Sequence, residues 1–366
     1  MATLLSATLI ARNEERFIGD CLRSLAGVAD EIIVVDTGST DRTPQIAAAL
    51  GARVFHFPWR DDFSAARNHA IDHARGDWIL YIDADERVRP IDPAALAAIF
   101  AEPAAVALRV RFYPRTGHTA YPEYRLFRRD PRIRFTGVVH ETMLPGVRRV
   151  AAADGMHIGQ CALTIDHVGY DGPQLHKSGR YLALLAAQLK AAPARIYLWW
   201  HLGAVHHELG HLDEAEAAWR CGVALAREAD PPRSDATLCH CDLARLLIAR
   251  GETPLALIEE GLAIAPGNHT LRGLRATLLA GLGEYRTAAA LFAELAAIDP
   301  ETLLSEWSFD KRLFGAPAWA AAADCAFRAG DYSAAALYYA HAERSGGAAL
   351  EYRVKRAAAE HRAAAG

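Results

Sequence analysis

The chain has 366 residues, 52% hydrophobic and 23% charged, with a formal net charge of -4. That length exceeds one ordinary core and predicts two or three domains, two being the working expectation. The composition excludes a disordered or disulfide-stapled chain, and the charge gives no reason to expect a nucleic-acid partner, so any bound anion has to be held locally.

The opening MATLLSATLIARNEE has a short apolar run without a basic leader or a small-residue cleavage site, and does not read as a signal peptide. The first predicted strands are LLSATLIA (4–11), EIIVVD (31–36), ARVFHF (52–57) and WILYID (78–83), with helical spacing between them at 16–25, 43–50 and 64–73. Continuous strands alternating with helices predict a parallel sheet covered on both faces. After Val106 the pattern turns strand-rich in LRVRFYPR and YRLFRR, as expected of strands added at an edge or flap.

From about residue 195 strands give way to an Ala- and Leu-rich helical pattern. One phrase recurs, as GHLDEA (210–215), GETPLA (251–256), GEYRTA (283–288) and GDYSAA (330–335), and nine residues after its Gly stand Trp219, Glu260, Phe292 and Tyr339. The steps from Gly210 through Gly251 and Gly283 to Gly330 are 41, 32 and 47 residues, bracketing the 34-residue period of helical-hairpin repeats. The phrases resemble tetratricopeptide (TPR) repeats. Trp199, Leu202, Gly203, Ala215 and Trp219 match the first unit, and Pro300 closes the third of about four. The alternative is a non-repetitive helical bundle.

The six cysteines (Cys21, Cys161, Cys221, Cys239, Cys241 and Cys325) form no CxxC pair, which favours a reducing compartment over a disulfide framework. Cys239-His240-Cys241 reads as core packing, because adjacent helix positions point in different directions. No apolar run reaches the roughly 18 residues of a membrane span. The expected location is cytoplasmic, with peripheral membrane contact left open and the oligomeric state not indicated.

Three predicted strands end in polar runs: Ala11 in Arg12-Asn13-Glu14-Glu15, Val35 in Asp36-Thr37-Gly38-Ser39-Thr40-Asp41, and Ile82 in Asp83-Ala84-Asp85-Glu86. In an open α/β sheet the ligand crevice lies beyond the carboxyl ends of the strands, where the strand order reverses. Carboxylates meeting there repel unless a cation sits between them. A divalent metal, Mn2+ or Mg2+, with further oxygens from a nucleoside diphosphate, meets that need. Each run also has a plainer reading, as a turn before the Thr43-Pro44 helix or as a solvated loop.

Together ARNEE (11–15), VVDTGSTDRT (34–43), DFSAARNHAI (62–71) and ILYIDADE (79–86) resemble the glycosyltransferase family 2 nucleotide-sugar fold. YRLFRR (124–129), FTGVVHE (135–141) and IDHVGY (165–170) resemble acceptor-side motifs of bacterial members that carry helical repeats behind the catalytic domain. The resemblance implies a GT-A-like, Rossmann-related α/β domain at 1–178 and an all-α, TPR-like domain at 195–366. It implies that Asp36 accepts hydrogen bonds from the base or ribose of the donor, with Ala11, Asn13, Glu14, Ser39, Asp41 and Ala84 around it. Asp83 and Asp85 would form the DxD pair, Asp85 ligating the metal and Asp83 reaching the ribose or a metal-bound water. Arg67 would contact the phosphates or orient Asp85. His167 is a candidate metal or diphosphate ligand, against a purely structural histidine. Glu141 is the expected general base and His140 its alternate.

The implied activity is that of an inverting, metal-dependent glycosyltransferase using a uridine diphosphate sugar, with a peptide, protein or glycan as acceptor. The alternative is a repeat scaffold whose first domain binds nucleotide without turnover. A remote one is a zinc protease, because HELGH (207–211) matches HExxH. The extended motif needs Gly at 214 and His at 217, where this chain has Glu214 and Ala217. Gly210 is also the recurring Gly, so His211 is expected in the turn between helices, diverging from His207. His201, His206, His207 and His211 then belong to the repeats.

Overall fold

The computed structural model describes residues 5–169, 175–229, 235–303, 305–346 and 349–365. Tyr170, which ends IDHVGY, lies outside them. The chain divides into two compact units, Met1–Thr116 with Ala120–Ala191, and Gly117–Thr119 with Ala192–Gly366.

In the first unit the elements run β1 (Leu5–Ala11), α1 (Ile18–Ser24), β2 (Glu31–Asp36), α2 (Thr43–Ala49), β3 (Arg53–His56), α3 (Phe63–His73), β4 (Trp78–Tyr81) and β5 (Glu86–Val88). They continue as α4 (Pro93–Phe100), β6 (Ala105–Tyr113), β7 (Tyr121–Arg128), α5 (Leu144–Asp154), β8 (His157–His167) and α6 (Leu175–Ala191). One sheet takes all eight strands in the order β3-β2-β1-β4-β7-β6-β8-β5. The first four are mutually parallel, as the βα alternation predicts. The order turns back between β1 and β4, which makes their carboxyl ends the switch point of the sheet.

Side chains alternate between two cores. Val34, Leu80 and Ile82 face α1, α2 and α4 through Ile18, Leu22, Ala47 and Ile99. Ile33, Val35 and Ile79 face α3 and α5 through Ala70, Ile71, Val147 and Val150. Both faces are covered, so the strands read as unbroken apolar runs.

Of the two forms expected after Val106, strands added at an edge or a flap, the chain takes the first: they extend the parallel half beyond β4. β7 pairs antiparallel with β4 through Ile79↔Phe127 and Leu80↔Leu126, and β6 and β8 extend the sheet beyond it. Phe127 and Val106 are fully buried, and such residues cannot form a solvated flap.

In the second unit the described residues form α7 (Ile196–Glu208), α8 (Leu212–Glu228), α9 (Leu238–Ala249), α10 (Leu255–Ile264), α11 (His269–Gly281), α12 (Tyr285–Ala296), a 3-10 turn Lys311–Leu313, α13 (Gly315–Arg328), α14 (Tyr332–Arg344) and α15 (Ala349–Ala365). Gly210, Gly251, Gly283 and Gly330 each sit between helices at φ 79°, 81°, 84° and 78°, a left-handed conformation that side chains resist. The helical region is TPR-like, with one offset unit. α8, α12 and α14 start two residues after the Gly and bury Ala215, Ala288 and Ala335 completely. In the GETPLA unit Pro254 is the residue before α10, which starts four residues after Gly251, so Ala256 is exposed and Ile258 takes the buried place. Among the described residues no helix is long and apolar enough to cross a membrane.

Candidate active site

The acidic stretch after β4 forms a tight turn. Glu86 N donates to Asp83 O at 3.0 Å, and Asp83 N donates to Glu86 Oε2 at 2.9 Å. The turn starts beside β1, where Ile82 N donates to Thr8 O at 3.1 Å. On the other side of β1, Ala11 is the register partner of Asp36, so the carboxyl ends of β4, β1 and β2 stand side by side.

The side chains of the turn split between two sets of partners. Asp83 Oδ1 accepts from Arg67 Nη2 at 2.9 Å, and its Oδ2 lies 3.7 Å from Arg125 Nη1. Arg67 also donates through Nε to Glu141 Oε1 at 2.5 Å, and Arg125 through Nη2 to Glu86 Oε1 at 2.6 Å. Three carboxylates and two guanidiniums thus form one chain, Glu141–Arg67–Asp83–Arg125–Glu86. The Tyr81 ring lies 5.1 Å from the Arg67 guanidinium and 4.5 Å from that of Arg125, a cation–π setting for both charges. Burial alone would raise the Asp83 carboxyl, but Arg67 and Arg125 outweigh it and hold it below the usual carboxylate range. At Glu86 burial prevails over the pull of Arg125 and pushes the carboxyl up to about 7.

Asp85 points elsewhere. Its Oδ2 lies 3.1 Å from His167 Nε2, and His167 Nδ1 lies 2.8 Å from Pro114 O. The hydrogen bond with Asp85, against desolvation, raises His167 to about 9. Gly169 leaves room for the pair, since a Cβ there would come within 2.3 Å of Asp85 Oδ2 and 2.7 Å of His167 Nε2.

The sequence DFSAARNHAI is read out residue by residue on α3. Asp62 caps the helix by accepting from Ala65 N at 3.0 Å. Phe63 N donates to Val138 O at 3.0 Å, and Ser64 Oγ to Gly137 O at 2.6 Å. Asn68 pairs with both backbone groups of Phe135 at 2.9 Å. These bonds fix the loop 136–142, closed by paired hydrogen bonds between Thr136 and Thr142, and so bring Glu141 to Arg67. His140, in that loop at φ 48°, has its ring 5.6 Å from that of Tyr181.

The β1 and β2 loops are cross-linked by several of the expected donor-site residues. Asn13, at φ 58°, accepts through Oδ1 from Thr40 N at 2.8 Å and donates its own N–H to Ser39 Oγ at 2.9 Å. Asp41 accepts from Thr43 N at 2.9 Å and from Glu15 N at 3.2 Å, and Glu14 N donates to Thr43 Oγ1 at 2.7 Å. Asp36 is 4% exposed, accepts from Ser39 N at 3.2 Å and lies 3.3 Å from His56 Nδ1. Ala11 and Ala84 are buried, and the Ala11 carbonyl accepts from Thr37 N at 2.9 Å.

One expectation is corrected: Arg67 holds Asp83 and Glu141, and it is His167 that meets Asp85. The reason is the turn over 83–86, closed by Glu86 N on Asp83 O, which leaves Asp83 next to Tyr81 and Arg67 and carries Asp85 to the end of β8, where Glu86 pairs with His167. Arg125, Glu86, Asn68 and Gly169 went unassigned in the sequence reading. The available signal was a charge inside the apolar strand YRLFRR, since a buried Arg has to be paired. HELGH does not form one helical face, because Gly210 at φ 79° separates α7 from α8 and His211 stands just before α8. His211 Nδ1 lies 3.4 Å from His206 Nδ1, while His207 packs 5.8 Å from the Trp219 ring.

Among the described residues no cluster of three or more His, Cys, Asp and Glu side chains is arranged around a metal position. Asp85 and His167 supply a carboxylate oxygen and an imidazole nitrogen at one point, which suits a divalent ion that takes its other ligands from a diphosphate.

Residues 6–151 match the family model described as Glycosyl transferase family 2. A lipopolysaccharide core biosynthesis glycosyltransferase, LpsC of Rhizobium meliloti, is 30% identical over 60% of this chain and 84% of its own. The chain belongs to glycosyl transferase family 2. The family match ends inside α5, and likeness to relatives goes further. A TPR repeat-containing protein of Synechococcus elongatus is 36% identical over 61% of this chain and 57% of its own length. The glycosyltransferase SunS of Bacillus subtilis is 33% identical over 36% of this chain and 33% of its own. The match to these last two thus spans about half or less of each relative. The GT-A-like unit of this family 2 chain carries the whole ionic chain around Asp83.

Proposed function

We propose that the protein is an inverting, metal-dependent glycosyltransferase that takes a sugar from a nucleoside diphosphate donor, a uridine diphosphate sugar first. The observation that carries this reading is the acidic turn at the switch point of the sheet, with Asp85 against His167 and Asp83 held by two buried arginines. Asp85 and His167 would hold Mn2+ or Mg2+, and that ion would offset the charge that develops on the diphosphate leaving group. Asp36, the last residue of β2, is the candidate for the base or ribose. Glu141 is the candidate base, taking the acceptor proton on the face away from the diphosphate, which inverts the anomeric carbon. Arg67 keeps that carboxylate oriented through Oε1.

The acceptor is a glycan, peptide or protein. The likeness to LpsC favours a glycan, and the TPR-like helices favour a peptide or protein. The six free cysteines support a reducing, cytoplasmic setting.

The test is turnover of a panel of uridine, guanosine and thymidine diphosphate sugars with and without Mn2+, with mass spectrometry of glycan and peptide acceptors. Mn2+-dependent transfer that is lost in Asp85→Asn supports the reading. Tight nucleotide binding without transfer or donor hydrolysis across the panel would make the chain a scaffold.

A further inference from the structure

The register between β6 and β7 slips at one point. It steps from Leu108↔Leu126 to Arg109↔Tyr124, which leaves Arg125 opposite no residue of β6. Arg125 is therefore the extra residue of a β-bulge, in a strand that lies inside the sheet. A bulge re-aims a side chain at the expense of ladder hydrogen bonds. What it aims here is a cation with a side chain only 9% exposed. The guanidinium is packed 4.5 Å from the Tyr81 ring and 4.8 Å from the Phe112 ring, with Glu86 Oε1 at 2.6 Å and Asp83 Oδ2 at 3.7 Å.

A buried ion pair with Glu86 alone would need no such device. Two well-packed apolar residues fill the same space at similar or better stability. The surplus feature is the second carboxylate, Asp83, which stands at the mouth of the site with a third of its side chain exposed. Arg67, on α3, reaches Asp83 Oδ1, and Arg125, on β7, lies near Oδ2. Each oxygen of this carboxylate thus has a buried guanidinium beside it.

We propose that Arg125 is a positioning residue of the donor site: the bulge in β7 aims its guanidinium at Asp83 and fixes that carboxylate for the nucleotide-sugar. The inference rests on the nucleotide-sugar reading above. Arg125 acts through Asp83, with Glu86 as the anchor that holds the guanidinium in place.

The experiment compares the full-length wild-type chain with the pair Glu86→Gln/Arg125→Met and with Arg125→Lys. Calorimetric titration with UDP, GDP and dTDP in the presence of Mn2+ gives nucleotide affinity, and thermal melting gives stability. The pair leaves no unmatched charge under β4, and Gln keeps an acceptor for the Asp83 N–H. It is expected to fold and to bind the preferred nucleotide about tenfold or more weakly, the scale of losing a group that orients a ligand. Arg125→Lys restores the charge without the fork that spans Glu86 and Asp83, and is expected to fall between the pair and wild type. Wild-type affinity in the folded pair overturns the inference, because Arg125 then serves only to neutralise Glu86. Should the pair fail to fold, Arg125→Lys decides, and wild-type affinity there overturns the inference equally. A wild-type chain that binds none of the three nucleotides overturns the nucleotide-sugar reading itself, and the role of Arg125 with it.

Discussion

Asp85 Oδ2 stands 3.1 Å from His167 Nε2 across 82 positions of sequence. Sheet register brings this about, because β5 pairs with β8 and Glu86, the next residue after Asp85, is the partner of His167. The backbone adds a second tie, with Val168 N donating to Asp85 O at 2.8 Å. With His167 Nδ1 directed at Pro114 O, Nε2 is the nitrogen that faces Asp85, and a metal held there would displace the Nε2 proton while Pro114 O keeps the ring in place. Asp85→Asn and His167→Ala are each expected to weaken Mn2+ binding by about 10–100-fold. EDTA is expected to stop sugar transfer, and added Mn2+ to restore it. Titration calorimetry with Mn2+ and UDP checks the first point; wild-type metal affinity in both variants would remove Asp85 and His167 from the metal site.

Gly169 offers a smaller perturbation of the same pair. A single methyl placed 2.3 Å from Asp85 Oδ2 and 2.7 Å from His167 Nε2 cannot be accommodated unless one of them moves. Gly169→Ala is therefore expected to raise the Mn2+ concentration needed for half-maximal transfer by about tenfold or more. The melting temperature should hardly change, because the displaced groups are partly exposed. Activity measured across a Mn2+ series decides it, and an unchanged midpoint would mean that the pair tolerates displacement.

Arg67 and Glu141 separate binding from chemistry. Glu141→Gln keeps a side chain of the same shape but removes proton acceptance, so turnover should fall by about 10²–10⁴-fold while UDP affinity stays near wild type. Arg67→Met should act on folding as well. It leaves Asp83 and Glu141 without the guanidinium they share, and losing one partner of a buried ion pair costs about 3–5 kcal/mol. Urea midpoints and UDP titrations on both variants test this. Full turnover in Glu141→Gln would pass the role of base to another group.

The parallel half of the sheet was legible because its strands are buried on both faces. EIIVVD and WILYID can hardly be anything else, and their polar ends pointed directly to the switch point. The second half was harder to read. LRVRFYPR and YRLFRR read only as strands at an edge or flap, and nothing local shows that Arg125 is buried between aromatic rings and paired with Glu86. Local pattern reports polarity but not the partner that cancels it. The pairing of Asn68 with the Phe135 backbone, 67 residues away, is likewise a tertiary fact. In the helical unit the Gly of each phrase was readable, because a left-handed turn demands it. The offset at Pro254 was not, because a repeat matched by its letters hides a two-residue delay of the helix start.

The helical unit should carry its own acid sensitivity, at His269. This residue begins α11 and is 8% exposed, with its ring 4.9 Å from that of Phe309 and 5.6 Å from that of Phe314. Burial, reinforced by the neighbouring Arg272, lowers the imidazole to about 4. The unfolded chain binds this proton near pH 6.5 and the folded chain only near 4. Above about pH 6.5 both states are neutral and the contribution is complete; as pH falls from there toward 4 the unfolded state gains the proton first, and stability is lost. A shift of that size corresponds to about 3 kcal/mol at most. Urea unfolding followed by helical circular dichroism between pH 7.5 and 4.5 should show the midpoint dropping as pH falls. Carboxylates contribute to the same slope, so the decisive quantity is the difference from His269→Gln, which cannot charge and should have the shallower slope. Parallel slopes in the two proteins would show that the imidazole finds a counter-charge when the unit is acidified.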